Sequence, residues 1–353
     1  WLKVSRLIKR RTVANEACDN ERVMVNGRVQ RASYDVKPGD RIAILSPASA
    51  IAHERIDGAA ATLRRLGYEP VVMPHAKGVY GSFSGTVEER LSDLTSALTD
   101  PSVKAILCSR GGYGCVHLLQ ELDKIPAGHF NKWLIGFSDI TALHALWARK
   151  GYASLHASMA KAFAAYGTPE VITGLDEEIA ILQGENVTIQ AHSDGSQQLA
   201  GHSGKAHAPV LGGNLAVLGG LIGTPFDPLA AAARHGEDFI LLVEDIAEPI
   251  YKVERILYQL LLTGSLDHMK GLIAGDFTEY RPSRDHAGMQ QMIEAFIARN
   301  LRGKTDIPVT YSISIGHRDE ANYPVILNWP ATLEVTAGNS YQPGSTATTL
   351  TFG

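Results

Sequence analysis

Short apolar runs alternate with amphipathic segments along the chain from Arg41 onward. Helical spacing of apolar positions covers 54–66, and Thr86 with Glu89 has the spacing of a capping box, which predicts a helix that ends near Asp100. Buried strands are predicted at the apolar runs themselves, 41–45, 70–73, 103–108 and 133–137. Strands that alternate with helices are typical of an α/β domain with a parallel sheet covered on both faces.

A polar stretch divides the chain into two such regions. Residues 168–205 include a run of Ser, Asp, Gly and Gln at 193–198, which favours a linker. We therefore predict an N-terminal α/β domain over 41–167 and a second, strand-rich α/β domain over 206–353. The second domain is predicted to contain two buried strands and a helix, at 239–243, 271–275 and 287–299.

Residues 1–40 differ from the rest in pattern and in charge, and they predict a small α+β arm. Two helices and two short strands are predicted there, at 2–9, 12–19, 22–25 and 30–33, with Asn26-Gly27 as the turn between the strands. Residues 1–41 carry a net charge of +5, whereas the net charge of the whole chain is −4. A basic arm suits an RNA partner, because phosphate binding depends largely on Lys and Arg. A solvated helix face is the alternative interpretation.

Composition narrows the class of protein further. Apolar residues make up 45% of the chain, and no run of about 18 apolar residues exists that would span a membrane. The basic start, without the long apolar segment of a secretory signal, favours a cytoplasmic location. Cys18, Cys108 and Cys115 lack the paired spacing of metal ligands, and His-Glu-x-x-His does not occur. The sequence therefore predicts reduced thiols and neither a metal nor another cofactor.

The run 133–137 ends abruptly at Ser138, and an amphipathic segment, 142–149, follows directly. A strand that enters a helix through a tight turn lifts one side chain out of the sheet and leaves the first N–H groups of the helix free to bind an anion. This arrangement is typical of a presented nucleophile. Ser138 is therefore the predicted nucleophile.

A serine hydroxyl needs a base to take its proton and an acid to orient that base. His317 and Glu244 follow predicted strands and supply these two roles, and a tetrahedral intermediate needs N–H donors for its oxyanion. The predicted donors are the backbone N–H of Asp139 and one from Gly111 or Gly112. Taken alone, the acidic pair at 244–245 has a helix cap as its alternative interpretation, and the glycine pair has a plain turn. The serine, the glycine turn, the acid and the histidine together predict a serine hydrolase.

Arg110 and Tyr113 flank the glycine pair and are the predicted substrate contacts. Arginine suits bidentate recognition of a carboxylate, and a structural ion pair of Arg110 is an equally open interpretation. The indication of nucleotide binding by 111–114 is weak, because the third glycine of the dinucleotide fingerprint is missing and no phosphate-loop lysine follows.

The chain from Lys37 to about 325 resembles the LD-carboxypeptidase family, which includes murein tetrapeptide carboxypeptidases and microcin C immunity peptidases. The resemblance rests on Lys37-Pro-Gly-Asp40, Ile44-Leu-Ser-Pro-Ala-Ser49, Cys108-Ser-Arg-Gly-Gly-Tyr-Gly114, Ile135-Gly-Phe-Ser-Asp-Ile-Thr141, Gly212-Gly-Asn-Leu215, Gly223-Thr224, Val243-Glu-Asp245 with Tyr251 and Arg255, and Gly316-His317. The chain departs from the family pattern at His156-Ala-Ser, where His-Gly-Pro is usual. It departs again after His317, where residues 323–330 stand in place of a shorter segment of the Pro-Leu-Gly type.

The resemblance implies a Ser138–Glu244–His317 triad in a cleft between two domains. It further implies cleavage, without metal, of an amide between an L-configured centre and a carboxy-terminal residue, commonly D-alanine. A murein peptide or a peptide conjugate is the implied substrate and a homodimer the implied assembly. The departures bear on substrate preference. A peptidase-like protein that binds peptide without cleaving it is an alternative.

The arm resembles the alpha-L RNA-binding motif on Trp1-Leu-Lys-Val-Ser-Arg-Leu-Ile-Lys-Arg-Arg-Thr12, Val23-Met-Val-Asn-Gly27 and Asp35-Val-Lys-Pro-Gly-Asp40. The resemblance implies RNA binding through 1–40, and an RNA-associated protein with a scaffold body is the second functional alternative. Both families use a Lys-Pro-Gly-Asp turn before a strand, and the chain has one copy. We expect the strand after it, 41–45, to belong to the peptidase sheet, which leaves the arm incomplete.

Overall fold

A computed structural model describes the backbone of Met24–Val25 and Arg28–Val29 and then residues 35–193, 201–301, 307–337 and 346–352. In the arm, strands β1 (Met24–Val25) and β2 (Arg28–Val29) pair antiparallel, in agreement with a hairpin around Asn26-Gly27. The two helices predicted in the arm lie outside the described residues.

The first sheet has six strands in the order β13-β7-β6-β5-β3-β4. All neighbouring pairs are parallel except β13 with β7. Its strands are β3 (Arg41–Leu45), β4 (Glu69–Val72), β5 (Val103–Cys108), β6 (Trp133–Gly136), β7 (Ser154–His156) and β13 (Val325–Leu327). Its helices are α1 (His53–Arg65), α2 (Val87–Thr99), α3 (Leu119–Leu122), α4 (Thr141–Lys150), α5 (Ala160–Ala165) and α6 (Leu175–Leu182).

The second sheet has seven strands in the order β12-β11-β10-β9-β14-β15-β8, parallel from β12 to β9 and antiparallel beyond. Its strands are β8 (Thr188–Ser193), β9 (Gly204–Asn214), β10 (Phe239–Ile246), β11 (Met269–Thr278), β12 (Val309–Thr310), β14 (Pro330–Ala337) and β15 (Thr346–Phe352). Its helices are α7 (Leu215–Gly219), α8 (Pro228–His235), α9 (Ile250–Leu262) and α10 (Met289–Asn300).

Strand β10 shows how the second sheet is packed. Ile240 and Leu242 belong to a hydrophobic core that is continuous with that of the first sheet, whereas Leu241 and Val243 belong to a core under the outer helices. Successive side chains of a strand point to opposite faces. The sheet is therefore covered on both faces and joins the first sheet through a shared core.

These elements confirm the predicted α/β class. Strand β3 pairs with β4 and β5, so the strand after the shared Lys-Pro-Gly-Asp turn belongs to the first sheet, as expected. The capping box is present too, because the side chain of Thr86 accepts from Glu89 N–H and that of Glu89 accepts from Thr86 N–H.

The stretch 168–205 differs from the predicted linker, since it contains α6 and β8. The apolar positions of α6, Leu175, Ile179 and Leu182, are buried, and a short amphipathic helix needs only one such stripe. Strand β8 then pairs with β15 at the edge of the second sheet. Its polar composition is typical of an edge strand, and it lacks the apolar run from which the other strands were predicted.

Two further sequence predictions concern membranes and thiols. In the described ranges no helix combines the length and apolar character that a membrane crossing requires. Cys108 and Cys115 are buried free thiols, and burial raises the pKa of both. Cys18 lies outside the described residues.

Candidate active site

Ser138 lies in the tight turn between β6 and α4. Its φ of 64° is in the left-handed region, which is uncommon for a residue other than glycine. A short 3-10 turn over Ser138–Ile140 leads directly into α4. Backbone strain of this kind costs on the order of 1–3 kcal/mol and is concentrated at functional sites. The predicted strand–turn–helix presentation of Ser138 is therefore present.

Gly111 lies directly against this turn. A Cβ atom at position 111 would be 2.8 Å from Ser138 Cβ, 3.0 Å from Ser138 Oγ and 3.3 Å from Asp139 N. Any side chain there would displace the serine, so the contact requires glycine. The backbone of Gly111 and the N–H of Asp139 consequently lie next to the serine hydroxyl, as the oxyanion prediction requires.

Contacts on both sides hold the glycine turn. The side chain of Asp139 accepts a hydrogen bond from Cys115 N–H at 2.8 Å, and Ser49 Oγ accepts one from Tyr113 N–H at 3.3 Å. A Cβ atom at Gly112 would collide with Ser49 Oγ. Asp139 was predicted for its backbone N–H alone, yet its carboxylate also connects the turn at Ser138 to the end of the glycine turn.

Arg90 donates hydrogen bonds to the end of the glycine turn and to neighbouring loops, and it was not predicted from the sequence. Its side chain is 2% exposed, and Nη1 donates to Gly114 O at 3.0 Å and to Pro47 O at 2.7 Å. Nε donates to Gly85 O at 3.2 Å. Burial lowers the pKa of Arg90. A lone arginine in an amphipathic helix normally faces solvent, so no sequence signal marks this one.

We expect Arg90→Met to lower the free energy of unfolding by about 2–4 kcal/mol, because methionine cannot donate the hydrogen bonds that Arg90 gives to the carbonyl groups of Gly85, Pro47 and Gly114. Denaturant unfolding measures this change. Arg64→Met on the exposed surface of α1 is the matched control and should shift the free energy by less than about 0.5 kcal/mol. An Arg90→Met chain as stable as the Arg64→Met chain would contradict the role of Arg90.

The structure brings His317 and Glu244 into direct contact. Nδ1 of His317 is 2.8 Å from Oε2 of Glu244, which is fully buried in β10. A Cβ atom at Gly316 would be 2.6 Å from the same oxygen, so glycine is needed there. Because a carboxylate accepts the proton on Nδ1, Nε2 is assigned as the free base.

Opposing effects set the pKa of His317. Burial lowers it, whereas the hydrogen bond and the charge of Glu244, together with the charges of Asp245 and Glu279, raise it. The raising effects prevail, and the pKa lies above the ordinary value of 6.5. The same pairing suits a catalytic base, because the charge of Glu244 favours the protonated form of the imidazole.

Asp245, the other half of the acidic pair, has a different role. Its carboxylate accepts from Asn214 Nδ2 at 3.0 Å, from Ala216 N at 2.9 Å and from Ile246 N at 2.9 Å. Burial and the charge of Glu244 raise its pKa to about 6, against these hydrogen bonds. The helix-cap alternative therefore applies to Asp245, and Glu244 alone contacts the histidine.

Ser138 and His317 are neighbours without a direct hydrogen bond. Phe137, the residue before Ser138, packs its ring against that of His317 with centroids 4.9 Å apart. Within the described residues Ser138 Oγ has no hydrogen-bond partner. In unliganded enzymes catalytic hydrogen bonds are often long and tighten only in the complex with substrate.

Asn322 supports the histidine loop and was also missed. Its Oδ1 accepts from Gly316 N–H at 2.9 Å, and its Nδ2 lies 3.5 Å from Ser158 Oγ. Ser158 N–H donates in turn to buried Glu178 at 3.0 Å. Asn322 lies in irregular structure, where periodicity gives no signal, and its partner Ser158 is 164 residues away in sequence.

A cleft of about 760 Å³ adjoins these groups. Arg110, Phe137 and His317 line it, together with Ile51, Ala52, Arg55, Ser109, Ser158, Met159, Lys161, Ala162, Ala165, Glu170, Ile172, Ile246, Glu279, Gly316, Arg318, Asp319 and Asn322. Both sheets contribute to this lining. Arg110 donates from Nη1 to Ala50 O at 3.0 Å and forms no ion pair within the described residues, which disfavours the ion-pair interpretation.

Tyr113 lies elsewhere. It is 56% exposed, its ring packs against His117 and Phe83 at centroid distances of 5.2 and 6.1 Å, and it does not line this cleft. The prediction that Tyr113 contacts substrate therefore has no support from the cleft's lining.

The chain matches models of known protein families. The family model described as the LD-carboxypeptidase N-terminal domain matches residues 42–157, and that of the C-terminal domain matches residues 207–333. The S4 domain model matches residues 1–42, which confirms the resemblance of the arm to an RNA-binding module.

Relatives and solved structures agree with these matches. The murein tetrapeptide carboxypeptidase of Pseudomonas aeruginosa is 33% identical over 288 residues, which cover 78% of this chain and 88% of that protein. The crystal structure of muramoyltetrapeptide carboxypeptidase from Oxalobacter formigenes is similar at a TM-score of 0.72 and 25% identity, covering 88% of this chain and 98% of that one. The microcin C7 self immunity protein MccF, 21% identical over 89% of this chain and 96% of its own, shares the fold at a TM-score of 0.68. The chain belongs to the LD-carboxypeptidase family.

Proposed function

We propose that the chain is a serine carboxypeptidase that cleaves an L,D-amide bond and releases a carboxy-terminal residue, D-alanine, from murein tetrapeptide. The observation that carries the proposal is the hydrogen bond between His317 and buried Glu244 beside the cleft, with Ser138 presented on a strained turn next to Gly111. The name of the Pseudomonas aeruginosa relative supports the choice of substrate.

In the proposed reaction Ser138 Oγ attacks the scissile carbonyl carbon while Nε2 of His317 takes its proton. The negative charge on the carbonyl oxygen is stabilised by the N–H of Asp139 and by one from Gly111 or Gly112. His317 then gives its proton to the amine of the leaving D-alanine as the C–N bond breaks. Water, deprotonated by His317, hydrolyses the acyl-enzyme and restores Ser138.

Glu244 keeps His317 in the tautomer that leaves Nε2 free, and its buried charge stabilises the imidazolium formed in both steps. The proposal places Arg110 at the substrate carboxylate. It further includes action in the cytoplasm, a homodimer, and RNA as a partner of residues 1–40. The S4 domain match and the basic charge of the arm support the last point.

The test is incubation of purified murein tetrapeptide with the full chain, with and without a chelator, followed by mass spectrometry. We expect loss of one terminal D-alanine in both samples, because every proposed catalytic group belongs to the protein. Loss of activity in chelator would contradict the metal-free serine mechanism. No loss of D-alanine in either sample would contradict the proposed substrate.

A further inference from the structure

Two arginines that line the cleft form no ion pair with any described residue. Of its four Lys and Arg side chains, Arg318 is paired with Asp276 at 2.7 Å and Lys161 lies 3.5 Å from Asp319. Arg55 and Arg110 form no ion pair within the described ranges. Arginine keeps its charge at any physiological pH, so both present unneutralised guanidinium groups to the cleft.

The two arginines belong to one wall. Arg110 follows β5, and its Nη1 donates to the carbonyl of Ala50 at 3.0 Å. Ile51 and Ala52, which continue from that carbonyl into α1, line the cleft, and Arg55 lies in the first turn of α1. Arginine has five N–H donors, so this single bond orients Arg110 and leaves most of its donors for a ligand.

This wall adjoins the predicted site of bond cleavage. Arg110 immediately precedes Gly111, whose backbone lies against Ser138. The terminal carboxylate of a carboxypeptidase substrate is only one residue beyond the scissile carbonyl, a separation of about 4 Å. A substrate carbonyl at Ser138 would therefore place the carboxylate close to the segment that carries Arg110.

The acidic residues of the cleft leave these two arginines unpaired. Glu170, Glu279 and Asp319 also line the cleft, and none of them forms an ion pair with Arg55 or Arg110. A substrate carboxylate is repelled by the acids and attracted by the two arginines, so the arginines are the groups that favour its binding.

We propose that Arg55 and Arg110 together form the subsite for the terminal carboxylate of the substrate. The inference rests on the proposed function, and it assigns Arg55 a binding role. Charge-assisted bonds to a planar guanidinium are the strongest and most directional contacts for a carboxylate. This subsite makes the protein an exopeptidase, because an internal peptide bond has no carboxylate at that position.

The test is calorimetric binding of murein tetrapeptide, and of the same peptide amidated at its terminal carboxylate, to full-length Ser138→Ala protein. We expect the acid to bind about 10- to 100-fold more tightly than the amide. Adding Arg55→Gln should reduce this preference to less than about threefold by weakening binding of the acid. Arg64→Gln, an exposed arginine on the same helix outside the cleft, is the matched control and should keep the full preference.

Equal binding of acid and amide to the Ser138→Ala protein would overturn the subsite. So would an Arg55→Gln variant that loses affinity for both peptides equally, since that pattern indicates a structural role. Binding needs no turnover, so failure of the wild-type chain to cleave the tetrapeptide would count against the proposed reaction and not against the subsite.

Discussion

Ser138→Ala is expected to lower kcat for release of D-alanine by about 10⁴- to 10⁶-fold while leaving substrate affinity nearly unchanged. The substitution removes the oxygen that forms the acyl-enzyme in the proposed reaction, whereas His317 and the N–H donors stay in place. It adds no atom next to Gly111, so the strained turn is retained. Single-turnover kinetics and a direct binding titration measure the two quantities separately.

Ser158→Ala is the matched control for Ser138→Ala. Ser158 lines the cleft beside His317, and its hydroxyl makes only a 3.5 Å contact to Asn322. We expect kcat to fall by less than about tenfold, since a long neutral hydrogen bond contributes little. A Ser138→Ala protein that keeps more than about a hundredth of wild-type kcat would show that another group is the nucleophile.

Glu244→Gln should lower kcat by about 10³- to 10⁴-fold and move the acidic limb of the pH–rate profile. An amide at this position can donate to Nδ1 and so favours the tautomer with the proton on Nε2, where the base is needed. Glu244 also raises the pKa of His317. His317 must be neutral to act, so activity falls as pH drops through its pKa, and removing the charge shifts that fall to lower pH.

Glu170→Gln is the control for the shift of the acidic limb. Glu170 lines the cleft but is not among the charges that act on His317. Its substitution should leave the acidic limb in place. An acidic limb that stays at the wild-type pH in Glu244→Gln would mean that it reports another group, and the assignment of His317 as the base would then be wrong.

Much of the candidate site was predictable because its groups follow strands. Ser138 and Gly111 come directly after β6 and β5, and neighbouring parallel strands bring their carboxyl ends to one edge. Glu244 near the end of β10 and His317 were recognised from the same logic combined with the family resemblance. A strand end is a local property, and local patterns can be read from one sequence.

The supporting residues were not predictable, because their roles depend on contacts between distant segments. Arg90 binds carbonyl groups 43 and 24 residues away, and Asn322 meets Ser158 across 164 residues. Neither residue type nor periodicity encodes such partners. Strand β8, within the predicted linker, was missed for a related reason, since it is defined by its pairing with β15 and not by its own composition.

The pairing of β13 with β7 has a consequence for biosynthesis. The first sheet lacks its edge strand until residue 327 has been made, although its other five strands end at residue 156. His317 lies in the segment that crosses from β12 in one sheet to β13 in the other. A nascent chain therefore contains the proposed base only after residue 317 has been synthesised. The proposed hydrolytic activity thus requires a nearly complete chain, and turnover would report that synthesis has reached this segment.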